Sequence, residues 1–198
     1  MKDRVIIGLA GYKGTGKSTV ANRIKDILTT ENPERETHIV SFAMPLKVFL
    51  AAVTQEPVSF WNTPEFKEQP APEPFVGYTR REAMQNFGLA MRSKEGFGSA
   101  FWVNLAMRLI EGELEKCNII IDDVRFPNEV EMIEDVGGGI FWLEAGKESD
   151  GHATEQNIED LCYSTVSNMH DTKDFGSAAA KEVMFAMKEF INHKDDSV

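Results

Sequence analysis

The chain predicts an α/β fold: a five-stranded parallel sheet with helices on both faces, built as one domain over 198 residues. Three observations lead there. Short apolar runs of buried-strand type alternate with segments whose apolar residues recur at helical spacing, the pattern of parallel strands joined by crossover helices. A glycine-rich turn, Gly11-Tyr12-Lys13-Gly14-Thr15-Gly16, joins the first apolar run directly to the first helical segment. Hydrophobic residues make up 42% of the chain and aromatic residues 10%, enough to fill a core.

The elements follow in order. Residues 5–10 form a buried-strand run, and residues 19–28 place apolar side chains at 20, 21, 24, 27 and 28, one face of a helix. A polar loop over 31–36 ends that helix, and 38–42 is the second strand. Pro45 stands near the first position of a helix over 46–53. Residues 55–78 carry Pro57, Pro64, Pro70, Pro72 and Pro74 with Phe60, Trp61 and Phe66. They read as an irregular excursion, either a loop packed on its own aromatics or a mobile flap near a cleft. Thr79 with Glu82 makes a capping box for a helix to about Arg92. Gly96 and Gly98 break the pattern before an amphipathic helix over 101–115. The third strand, 118–121, ends in Asp122-Asp123, and a helix over 128–136 is closed by Gly137-Gly138-Gly139. A fourth strand over 140–143, a polar loop over 146–154, a weak fifth strand over 163–167 and a helix over 177–192 complete the chain. Ligands of such sheets bind at the carboxyl ends of the strands, where the glycine turn, Lys47, Asp123 and the 146–154 loop are expected.

The turn has a chemistry of its own. Extended to Lys17-Ser18, it fits G-x-x-x-x-G-K-[ST], the phosphate-binding loop of nucleotide triphosphatases. Glycines let the backbone turn its N–H groups onto phosphate oxygens, and the N-terminus of the following helix adds partial positive charge. Gly11, Lys13, Gly14, Thr15, Gly16, Lys17, Ser18 and Thr19 are therefore the expected nucleotide contacts. Lys17 is expected on the β- and γ-phosphates and the Ser18 hydroxyl on Mg²⁺. Asp122-Asp123 at a strand end is placed like the acidic residue that holds Mg²⁺ directly or through water, with Asp123 favoured. Arg125, two residues on, can neutralise charge that spreads over a transferring phosphoryl group.

On the 79–92 helix, Arg81 and Gln85 stand four apart and share a face, with Gly88 about one turn further. That face suits a bidentate anion contact and a hydrogen bond to a base edge, and also suits a solvated helix face. Trp102 fits core packing and a stacking wall equally.

Lys+Arg number 21 and Asp+Glu 32, a formal charge of −11. That balance opposes a nucleic-acid polymer as partner, because such affinity comes from neutralising phosphates. It does not oppose a small nucleotide in a cleft lined by Lys13, Lys17, Arg80, Arg81 and Arg125. Cys117 and Cys162 read as small buried thiols in a reducing cytosol, and no four-ligand metal cluster is visible. No apolar run approaches the ~20 residues that span a bilayer, and no cleavable leader precedes the first strand, so a cytoplasmic protein without a membrane partner is expected. The apolar residues of 57–78 suit a homodimer contact or their own packing.

Taken together these segments resemble the phage-type deoxynucleoside monophosphate kinases, a P-loop kinase family. The resemblance runs in order through the glycine loop, Phe42-Ala43-Met44-Pro45-Leu46-Lys47, Arg81-x-x-x-Gln85-x-x-Gly88, Phe101-Trp102, Asp123-Val124-Arg125-x-x-x-Glu129 and His152-Ala153-Thr154-Glu155. It implies a P-loop kinase fold with an acceptor-binding insertion at about 55–115 and a short lid at about 145–155. It implies ATP and Mg²⁺ as cofactors and a deoxynucleoside 5′-monophosphate as acceptor. By the same resemblance Pro45, Leu46, Lys47, Arg81, Gln85, Gly88, Trp102, Asp123, Arg125 and Glu129 surround the acceptor. His152 and Glu155 serve lid closure or acceptor contact, and Asn168 lies near the donor base. Lys17, Asp123 and Arg125 are the expected catalytic groups, with Ser18 and Asp123 on the metal. Where the family often has an arginine at the end of the fourth strand, this chain has Glu144. A phage-encoded member would work in the host cytoplasm. Two other readings keep the glycine loop: a P-loop kinase of another phosphorylated metabolite, such as phosphomevalonate, and a nucleotide-binding regulatory module without transfer chemistry.

Overall fold

The computed structural model describes residues 4–112, 114–146, 158–168 and 176–195. They form two compact units, Met1–Ser41 with Leu109–Val198, and Phe42–Arg108.

The first unit holds the sheet. Strands β1 (Ile6–Ala10), β2 (Thr37–Val40), β3 (Asn118–Ile121), β4 (Gly139–Glu144) and β5 (Ser164–Ser167) lie in the order β2-β3-β1-β4-β5. Every pairing is parallel. Side chains alternate across each strand, so the two faces of β1 are read directly. Val5, Ile7 and Leu9 join the core formed with helices α1 (Lys17–Glu31) and α8 (Ser177–Asp195). Val20, Ala21, Ile24 and Leu28 supply the α1 side, the stripe expected from spacing. On the opposite face, a Cβ added at Gly8 would come within 2.8 Å of Ile133 Cδ1 on α7 (Pro127–Asp135). Helices therefore cover both faces, and Gly8 is what lets α7 settle against β1.

Asn118 secures the start of β3. Its Oδ1 accepts from the Val5 N–H at 3.1 Å and its Nδ2 donates to Thr37 Oγ1 at 3.3 Å, so a buried amide ties three adjacent strands. A 3₁₀ turn at Glu159–Leu161 leads into β5, a feature the sequence pattern did not indicate.

The second unit is helical: α2 (Met44–Thr54), α3 (Val58–Asn62), α4 (Pro64–Lys67), α5 (Arg80–Arg92) and most of α6 (Phe101–Glu111). Two corrections arise here. The 55–78 excursion contains two short helices rather than irregular chain alone, and α6 ends at Glu111, not 115. Pro64 begins α4 at a position where a missing N–H costs nothing. Trp61 of α3 is fully buried with Leu46, Leu50, Ala83 and Trp102. The capping box at Thr79 forms as expected: the Glu82 N–H donates to Thr79 Oγ1 at 3.2 Å, and Glu82 Oε2 accepts from the Thr79 N–H at 2.7 Å. That backbone bond, aided by the Thr79 hydroxyl, holds the Glu82 carboxyl below its ordinary value.

Candidate active site

The carboxyl ends of all five strands bring chemistry to one edge of the first unit. β1 runs into the glycine loop, whose Gly11, Gly14 and Gly16 adopt φ of 137°, 84° and 81°. A Cβ at Gly11 would stand 2.5 Å from the Leu143 carbonyl oxygen of β4, so only glycine lets the loop leave β1 this close to its neighbour. Thr15 is buried and closes the bend on itself, donating from both its N–H (3.3 Å) and its hydroxyl (3.0 Å) to the Tyr12 carbonyl. The Tyr12 ring meets the Trp142 ring edge-on at 5.0 Å.

Lys17 and Ser18 open α1. Lys17 Nζ folds back over the loop and donates to the carbonyls of Gly11 at 2.5 Å and Tyr12 at 2.9 Å. The ammonium thus stands at the mouth of the bend. Ser18 Oγ donates to Asp122 Oδ2 at 2.7 Å. Ser18 and Asp123 are the expected metal groups; of the two aspartates, Asp122 is the one that accepts from Ser18. Adjacent residues leaving a strand point to opposite sides, and Asp122 is the one bonded to the Ser18 hydroxyl on α1. Asp123 instead accepts from Ser41 Oγ at 2.5 Å, at the carboxyl end of β2.

Arg125 is exposed, and its backbone is fixed by Glu129. The buried Glu129 carboxylate accepts from the Arg125 N–H at 2.8 Å and the Phe126 N–H at 3.2 Å, satisfying donors that open α7. Glu129, expected among the acceptor contacts, is thereby a positioning residue for the turn that carries Arg125. Asn168, expected near the donor base, is also occupied otherwise. It is buried at the end of β5, its Nδ2 donates to the Thr15 carbonyl at 2.7 Å, and its own N–H donates to the Glu144 carbonyl at 2.7 Å. It ties the glycine loop to β5 and the end of β4. Lys13, Gly14 and Thr19 are exposed around the loop, and Glu144 is exposed at the end of β4. His152 and Glu155 lie outside the described residues, as does most of the expected lid.

In the second unit, Lys47 on α2 donates to Asn62 Oδ1 at 2.9 Å. Arg81, Gln85 and Gly88 form one half-buried stripe of α5, and Arg81 Nε donates to Glu68 Oε1 at 2.6 Å. Pro45 is half-buried. Leu46 and Trp102 pack into the unit's core, 7% and 4% exposed. The Trp102 indole N–H donates to the Gly88 carbonyl at 3.1 Å, which locks α6 to α5. Between the packing and stacking readings of Trp102, the structure gives packing.

Arg80, expected among the cleft cations, is a structural residue. Only 6% exposed, it pairs with Glu56 through both Nε (3.0 Å) and Nη2, donates to the Pro70 carbonyl at 2.9 Å, and lies over the Phe60 and Trp61 rings. Its place could have been read from the helical spacing of Arg80, Ala83 and Phe87, the face of α5 next to that of Arg81 and Gln85. The Ser41 and Asn62 hydroxyl and amide had no signal in the sequence, since each is identified only by the group it touches.

Among the described residues no helix is long and apolar enough to cross a membrane. No family model matches the chain. The sequence is 30% identical over 173 residues to a protein of Acanthamoeba polyphaga mimivirus named "Putative deoxynucleotide monophosphate kinase", covering 79% of this chain and 83% of that one. Among solved structures, it is similar to APS kinase of Mycobacterium tuberculosis, with a TM-score of 0.47, 10% identity and coverage of 93% of this chain and 97% of that chain. It is also similar to shikimate kinase of Bacteroides thetaiotaomicron, with a TM-score of 0.45, 12% identity and coverage of 93% and 98%. Strand order and the glycine loop, rather than these two likenesses, define the fold.

Proposed function

The chain belongs to the deoxynucleotide monophosphate kinase family and is a P-loop kinase, and from that premise we propose that it moves the γ-phosphoryl group of ATP to the 5′-phosphate of a deoxynucleoside monophosphate, giving ADP and the diphosphate. The observation that carries this reading is the Ser18–Asp122 pair at the end of the glycine loop, beside the Lys17 ammonium. A hydroxyl and a carboxylate are hard oxygen donors and suit Mg²⁺. Bound there, Mg²⁺ would neutralise charge on the β- and γ-phosphates.

The chain's own groups divide the work. The loop N–H groups and Lys17 bind the donor triphosphate, Lys17 exchanging its loop carbonyls for phosphate oxygens. Arg125 stands ready to neutralise charge shared between donor and acceptor phosphates, held in place by Glu129. Asp123, at the end of β3 and steadied by Ser41, would hold Mg²⁺ through water rather than touch the anionic phosphates itself. The acceptor oxygen is already anionic, so positioning and charge neutralisation replace a strong general base. Acceptor binding falls to Lys47, Arg81 and Gln85, with Gly88 keeping the α5 surface low enough for a ring.

Thermal melting with ligands tests the reading. A deoxynucleoside monophosphate held at 100 times its Kd should stabilise the protein by about 2.7 kcal/mol. No shift with any of the four, in the presence of a non-hydrolysable ATP analogue and Mg²⁺, would contradict it.

A further inference from the structure

We propose that Glu36, His38 and Cys117 form a binding site for one borderline-soft divalent ion of the zinc type, at the end of the sheet opposite the glycine loop. Their ligand atoms, a carboxylate oxygen, an imidazole nitrogen and a thiol sulfur, all lie within 4.8 Å of one another. His38 Nε2 and Glu36 Oε2 are already 2.9 Å apart.

The sheet register explains why the three meet. Thr37 pairs with Asn118 in the parallel β2–β3 ladder, so Glu36 and Cys117, one residue earlier on each chain segment, stand side by side. The Asn118 N–H donates to the Glu36 carbonyl at 2.8 Å and holds that alignment. His38 is two residues beyond Glu36, and alternate strand residues share a face. Backbone pairing thus presets all three groups, and the buried Asn118–Thr37 side-chain bond stiffens the same corner.

The donor set selects the ion. Nitrogen, sulfur and one carboxylate are zinc ligands, and three protein ligands with an open position make a four-coordinate site completed by water. A thiolate disfavours Mg²⁺, which prefers oxygen alone, so the Mg²⁺ of an ATP reaction does not compete well here. Glu36 is exposed and the other two are half-buried, which leaves the ion a path in. On binding, the Cys117 Sγ–metal bond forms as the thiol proton passes to solvent.

Cobalt substitution tests the site. The purified full chain titrated with Co²⁺ should develop a thiolate-to-metal charge-transfer absorption that saturates at one ion per chain. The absorption should vanish in Cys117→Ser and persist in Cys162→Ser. Zn²⁺ should displace the Co²⁺, and His38→Gln should weaken Zn²⁺ binding at least about tenfold. In the unaltered protein, Zn²⁺ should slow alkylation of Cys117, read by peptide mass, which needs no variant to fold. An absorption of equal strength in Cys117→Ser, or alkylation of Cys117 unaffected by saturating Zn²⁺, would overturn the proposal.

Discussion

Asn168 donates its side-chain amide to the Thr15 carbonyl at 2.7 Å, a buried bond between residues 153 positions apart. It fastens the phosphate-binding loop to the last strand of the sheet. A loop that must present several N–H groups at once needs its carbonyls pinned from behind, and this bond does so for Thr15, between Gly14 and Gly16.

Replacing Asn168 with Ala leaves that carbonyl buried without a donor. The expected loss of stability is about 1–3 kcal/mol. Because the loop loosens, ATP affinity should also fall. Urea unfolding and an ATP titration check both effects, and unchanged ATP affinity would reduce Asn168 to a purely structural residue.

Asp122 and Asp123 should separate in their metal dependence. Asp122 lies on Ser18, so Asp122→Asn should raise the Mg²⁺ concentration for half-maximal activity, by about tenfold or more. Asp123→Asn, whose parent carboxylate accepts from Ser41, should lower kcat with a smaller rise in that Mg²⁺ midpoint. Activity measured against Mg²⁺ at fixed ATP distinguishes them.

This pair shows where sequence reading ends. The acidic dipeptide at a strand end was legible, because an apolar run followed by two carboxylates is a local pattern. Which carboxylate faces α1 depends on the pleat of β3 against β1, and no local pattern encodes that. The glycine loop, the capping box at Thr79 and the alternation of strands and helices were legible for the same local reason. The short helices around Trp61 were not: five prolines suppress the periodic signal, and burial of one indole in the second unit decides the local conformation. Asn168 and Glu129 were legible as positions but not as roles, since each is defined by backbone groups that other elements supply.

Neighbouring arginines on α5 should behave differently. Arg80→Ala breaks a largely buried ion pair and leaves the half-buried Glu56 without its guanidinium, so a loss of about 3 kcal/mol, the low end for such pairs, is expected. Arg81→Ala removes a partly exposed pair with Glu68 and should leave melting nearly unchanged while raising the acceptor KM. Melting curves and acceptor titrations of the two variants make the comparison.

Burial pushes the Cys162 thiol from 9.0 up to about 12, with the Glu159 and Glu134 carboxylates adding to the effect. Above pH 9 the unfolded chain releases this proton while the folded chain keeps it, so folding must hold on to a proton that unfolding sheds. The contribution is complete below pH 9 and is lost as pH rises toward 12. The urea midpoint should therefore fall more between pH 8 and pH 10 in the unaltered protein than in Cys162→Ala. Equal slopes would mean that the thiol titrates normally.

Transfer to a deoxynucleotide is tested most directly by ADP release from ATP and Mg²⁺ in the presence of each of the four deoxynucleoside monophosphates, with ATP alone and phosphomevalonate as comparisons. At least one deoxynucleotide should raise ADP formation well above ATP alone and yield its diphosphate in equal amount. ADP release that no deoxynucleotide increases, or that rises only with phosphomevalonate, would contradict the account.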